Sequence, residues 1–333
     1  MEGKLQMKKV LQDHFGRIHN YLRLSITDRC NMACTYCMPS DQKFLPAKDL
    51  LTVEEIEILC SVFVSMGISK IRLTGGEPLI REDFPEIVNR ISMFGVPLSL
   101  TTNGIFLGKF IDLIREKSLS VNLSLDSLQN QKFTGITRRD VLKNIMENIR
   151  LVLNNNIPFK INMVVMRSIN DVEIPDFVKL TLHHPVEVRF IEFMPFPNNH
   201  WNPSKYFSRD EILESISRNY TIRKEVNSTS ATAELFRVKG AQGRFGIIAT
   251  ASYPFCESCN RIRITADGKI KNCLFGLKEY DLRSAIPEKE KIKRIILQAL
   301  SDKHFQHGGN SPQFQTGIPE NYKYNRTMTS IGG

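Results

Sequence analysis

Cys30, Cys34 and Cys37, in the run Asp28-Arg29-Cys30-Asn31-Met32-Ala33-Cys34-Thr35-Tyr36-Cys37, place three thiols on one short segment. Thiolates are soft ligands that select zinc, copper(I) or iron–sulfur clusters, and a closed structural site normally takes four protein groups. Three therefore leave one position to be filled from elsewhere. Either a distant histidine completes a zinc knuckle, or the position is open and is where chemistry happens. A second group, Cys256-Glu257-Ser258-Cys259 followed by Cys273, again offers three thiols. Here a structural zinc site completed by His304 or His307 and an open cluster both fit the spacing.

Two further runs carry chemistry. In Thr74-Gly75-Gly76-Glu77-Pro78 the paired glycines let backbone approach a ligand closely, and Glu77 can accept hydrogen bonds from an ammonium group. Alone, the run also reads as an ordinary strand-to-helix turn. In Arg261-Ile262-Arg263-Ile264 a period of two puts both arginines on one strand face and both isoleucines on the other. The planar guanidinium fork suits phosphate oxygens, so the pair reads as a polyphosphate clamp, or else as a solvated edge strand.

The elements that must position these residues follow from periodicity. Strand-length apolar runs at 21–26, 70–74, 97–102, 120–126, 159–165 and 186–192 alternate with segments of helical period, the pattern of a parallel sheet covered by helices. Thr52 and Glu55 form a capping box ahead of a helical face of Val53, Ile56, Leu59, Cys60 and Phe63, which makes Cys60 a core residue. Phe84, Ile87, Val88, Ile91 and Phe94 repeat that period, as do Val141, Leu142, Ile145, Met146, Ile149 and Leu153. In such sheets ligands gather at the carboxyl ends of the strands, where the first cysteine run and the Gly-Gly-Glu-Pro turn both fall. After a Pro- and Asn-rich stretch at 195–203, a capped helix at 208–216 and alternating runs at 232–238 and 245–249 begin a smaller, strand-rich part. There, Asp267-Gly268 is a tight turn between strands at 260–265 and 269–273, so that a hairpin returns Cys273 beside Cys256 and Cys259.

At 333 residues and 41% hydrophobic content, the chain can fill one large α/β barrel with an appendage or two ordinary domains. A net charge of +10 favours phosphate-bearing partners without choosing among them. No segment approaches the roughly 18 continuous apolar residues of a membrane helix, and residues 1–20 carry charges throughout, so a cytoplasmic protein without a membrane partner is expected. Seven cysteines, six of them in two tight groups, point to metal binding in a reducing compartment and away from a disulfide framework.

A cysteine loop after the first strand, followed one strand later by Gly-Gly-Glu-Pro, resembles the radical S-adenosylmethionine (SAM) enzymes. The two triads, the run from Leu22-Arg23-Leu24-Ser25 to Cys37, Arg189-Phe190-Ile191-Glu192-Phe193-Met194, the Arg261 and Arg263 pair, and Gly332-Gly333 narrow the resemblance to one family, the GTP 3′,8-cyclases of molybdenum-cofactor biosynthesis. It spans the chain from about Phe15 onward.

The resemblance implies an incomplete (β/α)6 TIM-like barrel over residues 1–195, with residues 196–333 as a smaller strand-containing part that closes it and carries the second cluster and substrate contacts. It implies two [4Fe-4S] clusters, held by Cys30, Cys34 and Cys37 and by Cys256, Cys259 and Cys273. The open iron of the first chelates SAM, and reductive cleavage gives a 5′-deoxyadenosyl radical. That radical takes hydrogen from the ribose C3′ of GTP, and the carbon radical attacks guanine C8. The second cluster binds the guanine base, an instance of positioning lowering the cost of ring closure.

Residue by residue, Tyr36, Gly76, Ser124 and Met194 match SAM-contacting positions, although Met194 is also a plausible core residue and the neighbouring Asp126 a plausible helix cap. Arg23, Arg72, Thr101, Lys160, Arg189, Arg261 and Arg263 match substrate contacts, with a structural ion pair the alternative for Arg189. Gly332 and Gly333 are expected to reach into the active site and support catalysis, the alternative being a frayed terminus. The implied partners are an unidentified reductant and a downstream enzyme, MoaC, that converts the product to cyclic pyranopterin monophosphate; a monomer or homodimer is expected, with no nucleic acid. The segment between Cys37 and Leu51 is shorter than in the family, and Phe133-Thr134-Gly135-Ile136-Thr137-Arg138-Arg139 also departs from it, leaving Arg138 and Arg139 without a role. Another radical SAM enzyme with an auxiliary cluster fits both triads but not the arginine pair. A zinc-knuckle nucleic-acid-binding protein fits the charge, but no stripe of basic residues interleaved with exposed aromatics is present.

Overall fold

The computed structural model describes residues 10–226, 229–309 and 320–332. Six strands, β1 (Tyr21–Ser25), β2 (Lys70–Thr74), β3 (Leu98–Thr102), β4 (Ser120–Ser124), β5 (Phe159–Val165) and β6 (Glu187–Glu192), lie parallel in chain order. Helices α1 (Val53–Ser65), α2 (Phe84–Ser92), α3 (Ile111–Glu116), α4 (Asn130–Thr137), α5 (Leu142–Asn154) and α6 (Ile174–His183) fill the crossovers, and α7 (Arg209–Ser217) follows β6. The capping boxes of Thr52 with Glu55 and Ser208 with Glu211 fix the starts of α1 and α7, each satisfying two otherwise orphaned backbone donors.

The remaining strands are β7 (Ile222–Lys224), β8 (Glu234–Val238), β9 (Arg244–Ile248), β10 (Arg261–Ile264), β11 (Lys269–Lys271) and β12 (Tyr280–Asp281), with α8 (Lys289–Ser301) and a single turn, α9 (Met328–Ile331), after them. They do not form a separate sheet. β9 adds in parallel to the free edge of β6 and β10 in parallel to that of β1, giving the order β12-β11-β10-β1-β2-β3-β4-β5-β6-β9-β8-β7. The sheet stays unclosed, an α/β partial barrel flanked at both ends by the C-terminal part. Because β10 lies between β1 and β11, the edge-strand alternative for Arg261 and Arg263 is excluded.

Parallel strands buried on both faces usually read as continuous apolar runs, yet here the strands alternate. Leu22, Leu24, Ile71, Leu73, Leu100, Val121, Leu123, Ile161, Val188, Phe190, Ile262 and Ile264 are almost fully buried in the main core beneath the helices. Cys60 is buried there too, as its period requires. The alternate positions, in register across β10 to β6, are mostly polar and line the concave face, with Val164 and Ile191 the apolar exceptions. A second apolar cluster joins Ile136, Met166, Phe193, Phe196, Trp201, Phe275, Tyr322 and Ile331, with Phe275 stacked on Phe196 and on Tyr322. It binds the loops after the strands to segment 320–332. Among the described residues, no helix is long and apolar enough to cross a membrane.

Candidate functional site

The first cysteine loop leaves β1 and is pinned from two sides. Ala33 N and Thr35 N donate to the Thr137 and Ile136 carbonyls at the end of α4, while Gly76 N and Glu77 N donate to Thr27 O and Arg29 O. Cys30, Cys34 and Cys37 are free thiols that feel one another electrostatically. Burial pushes the Cys30 thiol up to about 11 and also raises those of Cys34 and Cys37 well above the ordinary thiol value. Thiolates here need a cationic partner to offset desolvation, which is what a metal cluster supplies. Met32 N donates to Cys30 Sγ at 3.4 Å and Asn103 Nδ2 reaches it at 3.9 Å, the N–H to sulfur contacts that tune cluster ligands. Among the described residues, no three His, Cys, Asp or Glu side chains converge as a single ion requires.

The Gly-Gly-Glu-Pro turn packs directly on the cysteine loop. A Cβ on Gly75 would lie 2.4 Å from Thr27 O, and one on Gly76 2.2 Å from Arg29 O. The glycines thus let this turn press against the cysteine loop itself. Glu77 is equally committed: its carboxylate accepts from Leu79 N at 3.0 Å, Thr102 Oγ1 at 2.8 Å and Asn103 N at 2.6 Å. It is 1% exposed, and burial raises its carboxyl to about 7. Glu77 ties the end of β2 to the end of β3.

Tyr36 points its hydroxyl at Asp126, donating to Oδ2 at 2.7 Å, and Val164 N donates to Oδ1 at 2.9 Å. Asp126 therefore joins the cysteine loop to β4 and β5 and does not cap α4, whose N-cap is Gln129. Burial holds its carboxyl up, at about 6. Ser124 ends β4, paired in register with Asn162, and Met194 lies half-buried against the second apolar cluster. A cavity of about 410 Å³ opens beside Tyr36, between Ile136, Met166 and Phe193.

The concave face carries the charge. Register aligns Arg263 and Arg261 on β10 with Arg23 and Tyr21 on β1, and these with Arg72 and Lys70 on β2; Ser99 and Thr101 continue on β3, Asn122 on β4, Lys160 and Asn162 on β5, and Glu187 and Arg189 on β6. Burial together with Arg263 and Arg72 lowers Arg23 well below its ordinary value, and burial and Arg261 bring Arg263 to about 10. Lys160 falls to about 8 through burial and Arg189, although Glu187 opposes this. Glu187 accepts from Lys160 at 2.9 Å, Arg189 at 2.5 Å and Arg244 at 2.6 Å, and despite burial these cations draw it down to about 2. Arg189 is thus an ion-pair partner that also faces the concavity. Arg261 Nη2, Thr101 Oγ1, Asn122 Oδ1 and Asn162 Oδ1 are buried without a hydrogen-bond partner among the described residues. Clustered cations with spare buried polar atoms suit a polyanionic ligand. Sequence reasoning missed Lys70, Asn122, Asn162 and Glu187, although the alternation that singled out Arg261 and Arg263 also runs through their strands.

The hairpin of β10 and β11 turns at Gly268, whose φ of +80° suits glycine, and brings Cys273 back to Cys256 and Cys259. Burial raises Cys256; on Cys259 it is outweighed by Lys303 and Arg261, which pull that thiol down to about 7. Arg17, paired with Asp13, donates to the carbonyls of Cys256, His304 and Phe305 and so clamps this loop. His307 Nε2 lies 3.0 Å from Thr250 O, a contact that fixes the orientation of the ring.

The chain then returns to β1. Arg326 forks to Asp267 and Glu279, Asn325 Nδ2 donates to Leu274 O, and Thr327 Oγ1 donates to Gln42 Oε1 in the loop after Cys37. Gly332 is buried with φ +82°; a Cβ there would meet Ser25 Cβ and Thr74 Oγ1 at 2.7 Å, and its carbonyl accepts from Arg263 Nη1 at 3.0 Å. Gly332 is therefore packed at the ends of β1 and β2 and is not frayed. Gly333 lies outside the described residues.

Comparison with known proteins agrees with this architecture. Residues 24–181 match the profile of the radical SAM superfamily and residues 186–309 that of Molybdenum Cofactor Synthesis C. A mouse protein, molybdenum cofactor biosynthesis protein 1, is 45% identical over 90% of this chain, and the chain spans about half (48%) of that relative's length. The mitochondrial GTP 3′,8-cyclase of Arabidopsis thaliana is 42% identical over 97% of this chain and 84% of its own. The GTP 3′,8-cyclase of Listeria welshimeri is 39% identical over 98% of this chain and 100% of its own. Among solved structures, Streptococcus suis SuiB bound to S-adenosylmethionine shares the fold, with a TM-score of 0.60 at 13% identity over 88% of this chain and 68% of its own. The superfamily's cofactors, SAM and an iron–sulfur cluster, accord with the thiol triad after β1. The chain belongs to the radical SAM superfamily and, within it, to the GTP 3′,8-cyclase family.

Proposed function

We propose that this chain converts GTP to (8S)-3′,8-cyclo-7,8-dihydroguanosine 5′-triphosphate, the first committed chemistry of molybdenum-cofactor synthesis. The observation that carries the reading is the concave face, where Arg23, Arg72, Arg189, Arg261, Arg263, Lys70 and Lys160 converge against Glu187. Such a charge excess in a partly dry site is stabilised by a triphosphate, and it discriminates GTP from an uncharged peptide substrate.

Residues 1–195 supply the barrel, with Cys30, Cys34 and Cys37 as ligands of one [4Fe-4S] cluster. Residues 196–333 supply Cys256, Cys259 and Cys273 for a second, together with the β10 arginines. When bound, the first cluster and SAM supply the 5′-deoxyadenosyl radical. Tyr36, Gly76, Ser124 and Met194 hold SAM beside it; the inner-face cations and Thr101 orient the triphosphate and ribose. Gly332, followed by Gly333, closes the end of β1 and β2 and excludes water. The product passes to MoaC, and an external one-electron donor is required.

The test is anaerobic incubation of the reconstituted chain with SAM, dithionite and GTP. Formation of 5′-deoxyadenosine that depends on GTP, together with a cyclised nucleotide, is expected. Cleavage of SAM that GTP does not accelerate, with no new nucleotide, would remove the substrate assignment.

A further inference from the structure

Cys30 lines an open surface cleft of about 780 Å³ that none of the inner-face cations touches. Phe44 and Phe106 form its rim and are 40% and 38% exposed, unusual for large aromatics. Arg29 and Lys109 are the charged residues of the lining, and no carboxylate joins them. Lys43, next to Phe44, is exposed as well. Arg139 adds to the same side: its Nε donates to Asn31 O within the cysteine loop at 3.0 Å, and both it and Arg138 are exposed.

A positive, partly apolar depression with a thiol at its wall has a specific use in a protein whose first cluster must be reduced from outside. Electron transfer weakens steeply with distance, so a carrier has to sit over the ligand nearest the surface. Redox encounters of this kind use small interfaces steered by opposite charge. We propose that this cleft is the docking surface for an acidic one-electron carrier protein, resting on the cluster assignment to Cys30, Cys34 and Cys37. One electron leaves the carrier and enters the cluster at the Cys30 side; no bond forms or breaks in the transfer. Arg139, which the family pattern left without a role, belongs to the rim that attracts the carrier.

The test uses the full-length, reconstituted chain with SAM and GTP, and compares two electron sources: dithionite and a purified acidic flavodoxin, chemically reduced. Lys43→Glu with Lys109→Glu should slow flavodoxin-driven 5′-deoxyadenosine formation about tenfold at low ionic strength and flatten its salt dependence. Dithionite-driven turnover and iron content should be unchanged. Phe106→Ala should slow the flavodoxin-driven reaction alone. Equal loss with both reductants, or no loss with either, would overturn the docking surface. Failure of dithionite to drive SAM cleavage in the unsubstituted protein would instead overturn the cluster reading beneath it.

Discussion

Arg263 Nη1 donates to the Gly332 carbonyl at 3.0 Å, so a strand arginine of the inner cationic face holds the last described residue of the chain over the ends of β1 and β2. The left-handed φ and the contact with Ser25 and Thr74 make glycine the residue that fits there. Gly332→Ala is expected to lower cyclised-nucleotide formation by at least about tenfold while stability changes by about 1 kcal/mol, because the strain falls on a terminal turn. Product assay and thermal unfolding on the same preparation check this. Equal loss of stability and activity would contradict it.

Arg326 should act at a distance from the site. Its bidentate pairs with Asp267 and Glu279 are largely buried, and they hold the segment that ends at Gly332. Arg326→Ala removes the bidentate partner of both carboxylates and leaves them only Lys269 and Lys271, at a cost on the order of 2 kcal/mol, and should expose residues near 326–332 to limited proteolysis. Thermal unfolding and mass analysis of the proteolytic fragments measure both.

The acid limb of stability should contain His19. Burial and Lys303 lower its imidazole from 6.5 to about 4, although Asp13 opposes them. The folded state therefore resists the proton that the unfolded chain takes up. The contribution is complete above pH 6.5 and is lost as pH falls toward 4, up to roughly 3 kcal/mol. His19→Gln should flatten the stability profile across that window; an unchanged slope in urea titrations would refute the assignment.

The inner cations predict a ligand response without catalysis. Tripolyphosphate should raise the melting temperature of the chain, by the equivalent of about 2.7 kcal/mol at a hundredfold excess over its dissociation constant, and less so in high salt. Lys160→Met and Arg72→Met should each weaken that response. Scanning calorimetry over a tripolyphosphate series reads it directly.

The parts legible in the sequence were those written in local pattern. The spans of β2 and β5, the boxes at Thr52 and Ser208, the turn at Gly268 and the core position of Cys60 all follow from spacing. What sequence could not give was pairing between distant segments. Nothing local says that β9 and β10 add in parallel to opposite edges of the first six strands, because that choice is settled by tertiary packing. The same limit explains Glu77 and Asp126, which accept from Thr102 and Asn103 and from Tyr36 and Val164, partners 25 to 90 residues away. Helices α3, α4, α6 and α8 were not read from the sequence; α3 buries only Ile114, whereas α6 and α8 carry a buried face whose period was there to be read. The inner-face residues Lys70, Asn122, Asn162 and Glu187 were visible in principle, since each sits two residues from a polar neighbour on its strand.

Separate loss of the two triads should be readable. Cys34→Ser should halve iron content from about eight per chain and abolish SAM cleavage, while Cys259→Ser should also halve it but leave basal SAM cleavage in place. Iron analysis paired with 5′-deoxyadenosine assay distinguishes these outcomes from a single shared centre.

The central claim, that the cationic face presents the ribose of GTP to a radical formed beside the first cysteine loop, is tested most directly with GTP deuterated at C3′. Reaction with SAM and dithionite should yield 5′-deoxyadenosine carrying one deuterium, alongside a cyclised nucleotide that has lost it. Unlabelled 5′-deoxyadenosine, or label in the nucleoside with no cyclised product, would contradict it.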